Sequence, residues 1–321
     1  MADGGEGTLE TIAAINPTLR KIFCEVTFYQ GMTRRVPWGL LEDGVAIVEL
    51  ALACGLTNMP HLDPLGAHTF AFGQLLRSAA LHPGVNKIVA SVGGSASTDG
   101  GVGALMALGA DFLQESGESI AMGGSGLNQL KHIGMKNLVP PPKNGVVCLV
   151  DVTNPLLGAE GAARVFSPQK GANSDEVLEL EANLANLQTV AKGPDFPGAG
   201  AAGGSAYGLK TLWGATIQSG SAAVAELVGL ESLVSSVDYV ITGEGLFDSQ
   251  SLNGKVVGNL MNVCRKYSKP VLLCVGKSEL VFETAGVQGI QLVDLAGSTS
   301  DAINNAAKWI ELAASRLASR M

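Results

Sequence analysis

Three stretches of the chain gather residues that could handle a phosphoryl group. Ser91-Val92-Gly93-Gly94-Ser95-Ala96-Ser97-Thr98-Asp99 continues an apolar run, Pro197-Gly198-Ala199-Gly200-Ala201-Ala202-Gly203-Gly204 is nearly all Gly and Ala, and Thr242-Gly243-Glu244-Gly245-Leu246-Phe247-Asp248-Ser249-Gln250-Ser251 carries two acids. Glycine lets backbone N–H groups approach a phosphate closely, serine adds a hydroxyl donor, and carboxylates suit a hard cation such as Mg2+. Phosphoryl transfer needs both kinds of group. Glu244 and Asp248 stand four residues apart, with Lys255 close behind in Asn253-Gly254-Lys255. That set suits a Mg2+ ion and a phosphate clamp, with a surface turn and salt bridge as the alternative. Asp151, in Asp151-Val152-Thr153-Asn154-Pro155, could orient or deprotonate a substrate hydroxyl with Asn154 beside it, or could close an Asx turn ahead of Pro155. Phe166-Ser167-Pro168-Gln169-Lys170-Gly171 offers a further lysine, which a helix-entry loop explains equally well.

Two familiar nucleotide patterns fail on context. Gly198-x-Gly200-x-x-Gly203 matches the dinucleotide fingerprint as text, but Gly193-Pro194-Asp195-Phe196-Pro197 precedes it where a strand is required. An oxidoreductase built on that run would bind a nicotinamide cofactor. The small residues there fit a backbone nest or a close helix contact better than a flexible linker. Gly276-Lys277-Ser278 resembles the end of a Walker A loop, but Val271 occupies the place of its leading glycine.

The elements that must position these residues alternate. Short apolar runs at Val45–Leu50, Lys87–Val92, Gly145–Val150, Val237–Ile241, Pro270–Val275 and Gln291–Leu295 read as buried parallel strands. Asn173–Ala191 reads as a helix, with Asn173 and Glu176 spaced as a capping box and Val177, Leu180, Leu184 and Leu187 on one face. Ser300–Ala318 reads as a second helix with a serine cap. Strands alternating with helices predict an α/β architecture. Ligands in such sheets bind at the carboxyl ends of strands, and three of the runs end at the glycine, Asp151 and Glu244 segments.

Bulk properties agree. The 321 residues suffice for one large or two medium domains, and 46% are apolar with few aromatics, as in α/β cores of Val, Leu, Ile and Ala. A net charge of −8 argues against nucleic acid or an anionic membrane as partner but not against a nucleotide. No apolar run has membrane-spanning length and the first residues carry no signal-peptide core, so a cytoplasmic location is expected. Cys24, Cys54, Cys148, Cys264 and Cys274 lie in or beside apolar stretches and read as reduced thiols. Of the four histidines, none with metal-ligand spacing, only His68 stands out, near an expected helix start, where a structural role is favoured.

At these residues the chain resembles the class I glycerate kinases, the glycerate 2-kinase type. The resemblance is carried by Met1-Ala2-Asp3-Gly4-Gly5-Glu6-Gly7-Thr8, Gly93–Gly101, Asp151-Val152-Thr153-Asn154-Pro155-Leu156, Phe166–Ala172, Pro197–Gly204 and Ile241–Lys255, in the family's order and spacing. It implies ATP- and Mg2+-dependent phosphorylation of D-glycerate, usually at the 2-hydroxyl. It also implies two α/β domains: a flavodoxin-like one with a parallel sheet from residues 1–20 plus 235–321, and a larger inserted one from residues 21–234. We expect the site in a cleft between them. Glu244 and Asp248 are assigned to Mg2+, Lys255 to phosphate, Asp151 with Asn154 to the substrate hydroxyl, and Gly93, Gly94, Ser95, Gly198, Gly200, Gly203 and Gly204 to backbone donation. Thr98 and Ala71 are minor departures from the family. A larger one is that family members begin well upstream of the position matching Met1, with a strand and an Asp-Ser-Phe-Lys-Gly segment. Without that strand, its neighbours would show unpaired backbone and exposed apolar side chains. The competing expectation is therefore a truncated relative that binds a small molecule without turning it over.

Overall fold

A computed structural model describes residues 4–249, 251–252 and 256–319. The chain forms two compact units, one up to residue 223 and one from residue 224.

The larger unit is built on a six-stranded sheet. In chain order it contains α1 (Thr8–Ile15), β1 (Arg20–Thr27), β2 (Thr33–Leu40), β3 (Val45–Glu49), α2 (Leu50–Cys54), α3 (Phe70–Leu81), β4 (Lys87–Ser91), α4 (Val102–Ala107), β5 (Asp111–Leu113), β6 (His132–Gly134), β7 (Val146–Leu149), α5 (Ala162–Phe166), α6 (Ser174–Ala191), α7 (Ala201–Trp213) and β8 (Thr216–Gln218). Strand order is β1-β2-β3-β4-β7-β8, and β5 pairs with β6 as a separate ribbon. The β1–β2–β3 pairs are antiparallel, whereas β3, β4, β7 and β8 run parallel. The central parallel strands are mostly apolar, as strands buried on both faces are: Val146–Leu149 is buried throughout. Helix α6 starts with the expected capping box, Asn173 accepting from the Asp175 and Glu176 N–H groups while Glu176 reaches back to the Asn173 N–H. Residues 8–15, expected with the smaller unit, pack in the larger one. Leu9 and Ile12 of α1 are fully buried, and the Glu49 carboxylate at the end of β3 accepts the N–H of Gly7 and of Leu9 at 2.9 Å each.

The smaller unit follows a helix α8 (Gly220–Leu227) in which the division falls. It contains α9 (Leu230–Ser235), β9 (Val240–Phe247), α10 (Val256–Lys266), β10 (Val271–Ser278), β11 (Gln288–Gln291), α11 (Leu292–Ala296), α12 (Thr299–Asn304) and α13 (Ala306–Ala318). Its sheet has the order β11-β10-β9, all parallel. Two expectations are corrected here. Gln291–Leu295 is a strand end followed by a helical turn, an ambiguity inherent in short apolar runs. The helix expected over 300–318 is two helices broken at Asn305, and the cap is Ser298, whose hydroxyl accepts the Asp301 N–H. All five cysteines are free thiols, and Cys54, Cys148 and Cys264 are buried. Among the described residues no helix is long and apolar enough to cross a membrane.

Candidate active site

The carboxyl ends of β3, β4, β7 and β8 carry the chemistry of the larger unit. A cavity of about 490 Å3 opens there, lined by Gly4, Gly5 and Glu6, by the Gly93-Gly94-Ser95 turn after β4, by Asp151 after β7, and by Gln169, Lys170, Ala201 and Ala202. The glycine turn lies against the loop that precedes α1. The Gly93 N–H donates to the Gly4 carbonyl at 3.2 Å, and a Cβ at Gly93 would sit 2.6 Å from the Gly5 Cα, so only glycine fits. Gly94 takes a left-handed φ of 74°. Its carbonyl accepts from Leu56, while the N–H groups of Gly94 and Ser95 have no acceptor among the described residues. Those two N–H groups, not that of Gly93, are the donors left for a ligand.

Asp151 does not close an Asx turn on its own loop. Its carboxylate caps α8: Oδ1 accepts the Ser219 hydroxyl and the Gly220 N–H at 2.8 Å each, and Oδ2 accepts the Ser221 N–H at 3.0 Å. These donors hold the carboxylate in place at the cavity wall. Glu6, on the same wall, accepts the Thr57 hydroxyl at 3.1 Å. Asn154 is turned away, donating to the Glu160 carbonyl while its own carbonyl accepts from Gly200.

Lys170, at the end of a short 3-10 turn Pro168–Lys170, is 2% exposed. Its Nζ donates to the Ser95 hydroxyl at 3.1 Å and to the Ser97 carbonyl. Burial brings its amine down to about 8, against the opposing pull of Asp99 and Cys54. Asp99 itself anchors the segment. It accepts the Thr69 N–H and hydroxyl and the Gly101 and Gly103 N–H groups, tying the starts of α3 and α4 to the glycine turn. His68 lies apart from this cavity, lining another of about 410 Å3 with Tyr29 and Asp63. Its imidazole is pushed down by burial.

The model of the glycerate kinase family matches residues 1–321. This chain belongs to that family. A glycerate 2-kinase of Escherichia coli strain K12 is 42% identical over 287 residues, covering 86% of this chain and 74% of the relative. A glycerate kinase of Bacillus subtilis strain 168 is 36% identical over 335 residues, covering 99% and 86%. A crystal structure named as "putative glycerate kinase 2 from Salmonella typhimurium LT2" superimposes with a TM-score of 0.79 at 34% identity, covering all of this chain and 88% of that one. The chain is thus a kinase of this family on an α/β scaffold.

Within the family member, the cavity brings together Gly93, Gly94, Ser95 and Asp151. The glycines at 198, 200, 203 and 204 are buried instead of lining it. A Cβ would meet the Pro155 carbonyl at 2.3 Å from Gly200 and the Ser97 carbonyl at 2.1 Å from Gly203, so the run is a close contact between two backbones. Only Ala201 and Ala202 of that run reach the cavity, Ala202 at a left-handed φ of 53°. No strand precedes the run, which removes the basis for a nicotinamide fingerprint. Gly276-Lys277-Ser278 lies inside β10, not in a loop.

Glu244 lines a second cavity, of about 720 Å3, within the smaller unit. The strand continues past Ile241 to Phe247, so Glu244 is mid-strand, opposite Val275, and Asp248 follows the strand end, accepting the Ser251 N–H. Among the described residues no cluster of three His, Cys, Asp or Glu is placed to hold a metal. Lys255 lies outside the described residues. Sequence reasoning left Lys170 open and missed Glu6 and Glu49. Glu49 carried a legible signal, as the one charge within the apolar stretch Val45–Leu56.

Proposed function

We propose that this chain transfers the γ-phosphoryl group of ATP to the 2-hydroxyl of D-glycerate, giving 2-phosphoglycerate and ADP. The observation that carries this reading is the cavity at the strand ends, where an open glycine-serine turn faces carboxylates, in a chain whose relatives are named glycerate kinases. In the reaction the hydroxyl oxygen forms a bond to the γ-phosphorus as the bond to the β-phosphate oxygen breaks, and the hydroxyl proton leaves. Positioning and offset of charge supply most of the rate. The Gly94 and Ser95 N–H groups would meet phosphate oxygens. Asp151, fixed by its donors, would orient the hydroxyl and accept its proton. Glu6 is an oxygen donor on the same wall that would suit Mg2+ accompanying the triphosphate, and such an ion would neutralise phosphate charge. Glu244 and Asp248 remain proposed as Mg2+ ligands, and Lys255 as a phosphate clamp.

Coupled ADP-release assays with D-glycerate test the reading, and phosphorus NMR of the product distinguishes the 2- from the 3-phosphate. Glycerate binding without ADP release would favour a non-catalytic binding protein. A 3-phosphate product would overturn the assignment of the hydroxyl.

A further inference from the structure

Lys170 is a cation at the edge of the strand-end cavity. It takes part in none of the ion pairs between described residues, and its two acceptors, the Ser95 hydroxyl and the Ser97 carbonyl, are neutral. An ammonium has three donors, so one remains. Burying a charge without a counter-ion is costly unless something compensates it. Asp99 is near enough to attract the amine but its own oxygens are taken by Thr69, Gly101 and Gly103. The hydroxyl that Lys170 grips belongs to Ser95, which lines the same cavity as Gly94, and the N–H groups of both have no acceptor among the described residues. Cation and open donors thus converge on one spot.

We propose that Lys170, Gly94 and Ser95 form an oxyanion subsite that takes either the carboxylate of the hydroxy-acid substrate or a phosphate of the nucleotide. This rests on the kinase reading above and adds to it a charge that the carboxylates of Glu6 and Asp151 on the same cavity cannot supply. The subsite is self-limiting in pH. The free amine loses its proton at about 8, and the groups facing it are Asp99, the buried Cys54 thiol (pushed far up by burial), and, across the cavity, Glu6 and Asp151. None of these restores a positive charge once Lys170 is neutral.

The test uses sulfate and D-glycerate as probes, neither of which titrates between about pH 7 and 10, in calorimetric titrations of the full chain. Wild-type affinity for one or both probes should fall by up to about tenfold per pH unit above the amine's value. Lys170→Met should bind at least about tenfold more weakly at neutral pH and lose the pH dependence. Lys170→Arg should bind without weakening toward high pH, because guanidinium stays charged. Sulfate displaced by ATP but not by glycerate assigns the subsite to phosphate, and the reverse assigns it to the carboxylate. A wild-type affinity that is flat with pH for both probes overturns the proposal whether or not the variants fold, and so does a Met variant with wild-type affinity. Lys170-dependent binding in a chain that releases no ADP would retain the subsite and sink the kinase reading.

Discussion

Asp151 and Lys170 show how the same residue can be explained by structure and by chemistry, and how measurement separates the two. Asp151 caps α8 with three accepted hydrogen bonds. Asp151→Asn keeps one acceptor oxygen and places an amide against the Ser221 N–H, so chemical denaturation should show a loss of about 1 kcal/mol, the scale of an N-cap. If the carboxylate also accepts the hydroxyl proton, kcat should fall by roughly a hundredfold or more, far beyond what that stability loss explains. A variant that is less stable but fully active would leave Asp151 as a cap alone. Lys170 has a pH signature in folding. Its amine titrates at about 8 in the folded chain against 10.5 for the ordinary side chain. Between those values the unfolded chain binds more protons, so rising pH favours the folded state. The stability of wild type relative to Lys170→Met should therefore climb across that window, by on the order of 1 kcal/mol per pH unit. A difference that is flat with pH would mean that the amine is not desolvated. Glu244→Gln should lower kcat by roughly a hundredfold, the cost of one charge-stabilising group, and an unchanged kcat would remove Glu244 from the mechanism.

At the scale of elements, the parallel strands were legible because burial on both faces leaves an apolar run with little else to mean. Lys87–Val92 and Gly145–Val150 match β4 and β7 to within a residue at each end. That accuracy placed Gly93–Ser95 and Asp151 at strand ends, where they are. The reading failed where the sequence signal is not hydrophobic. Glycines at 243 and 245 looked like the end of a strand but lie within β9, so Glu244 is mid-strand. The β1–β2 hairpin went unread because Arg20, Lys21, Arg34 and Arg35 interrupt its alternation. Sequence left the 198–204 glycines open between a backbone nest and a close contact, and could not name the partner, which for Gly203 is Ser97, about a hundred residues away. Gly203 makes this testable. It sits at a φ of 62° with the Ser97 carbonyl 2.1 Å from where a Cβ would go. Gly203→Ala should cost roughly 2–4 kcal/mol from overpacking and left-handed strain. Because the displaced carbonyl is the one that holds Lys170, anion affinity should fall alongside stability. A denaturation midpoint equal to wild type would refute the close contact.

For the molecule as a whole, the smaller unit leaves apolar surface uncovered among the described residues. Strand β9 pairs with β10 on one side, and among the described residues no strand lies on the other. Ile241 on β9 is 52% exposed, and Ile303 and Ile310 on α12 and α13 are 70% and 49% exposed. All three line the 720 Å3 cavity with Leu292, Val293 and Ala306. Parallel sheets are ordinarily covered on both faces, and an open apolar edge invites association with another chain. The expected behaviour is binding of a hydrophobic dye and self-association that grows with concentration. The double substitution Ile303→Glu and Ile310→Lys changes only side chains that already face solvent, so it should alter stability by no more than about 0.5 kcal/mol. It should nonetheless reduce dye fluorescence severalfold and shift sedimentation toward the monomer. Unchanged dye binding and sedimentation in a folded double variant would show that this groove is closed in solution and that association, if any, uses another surface.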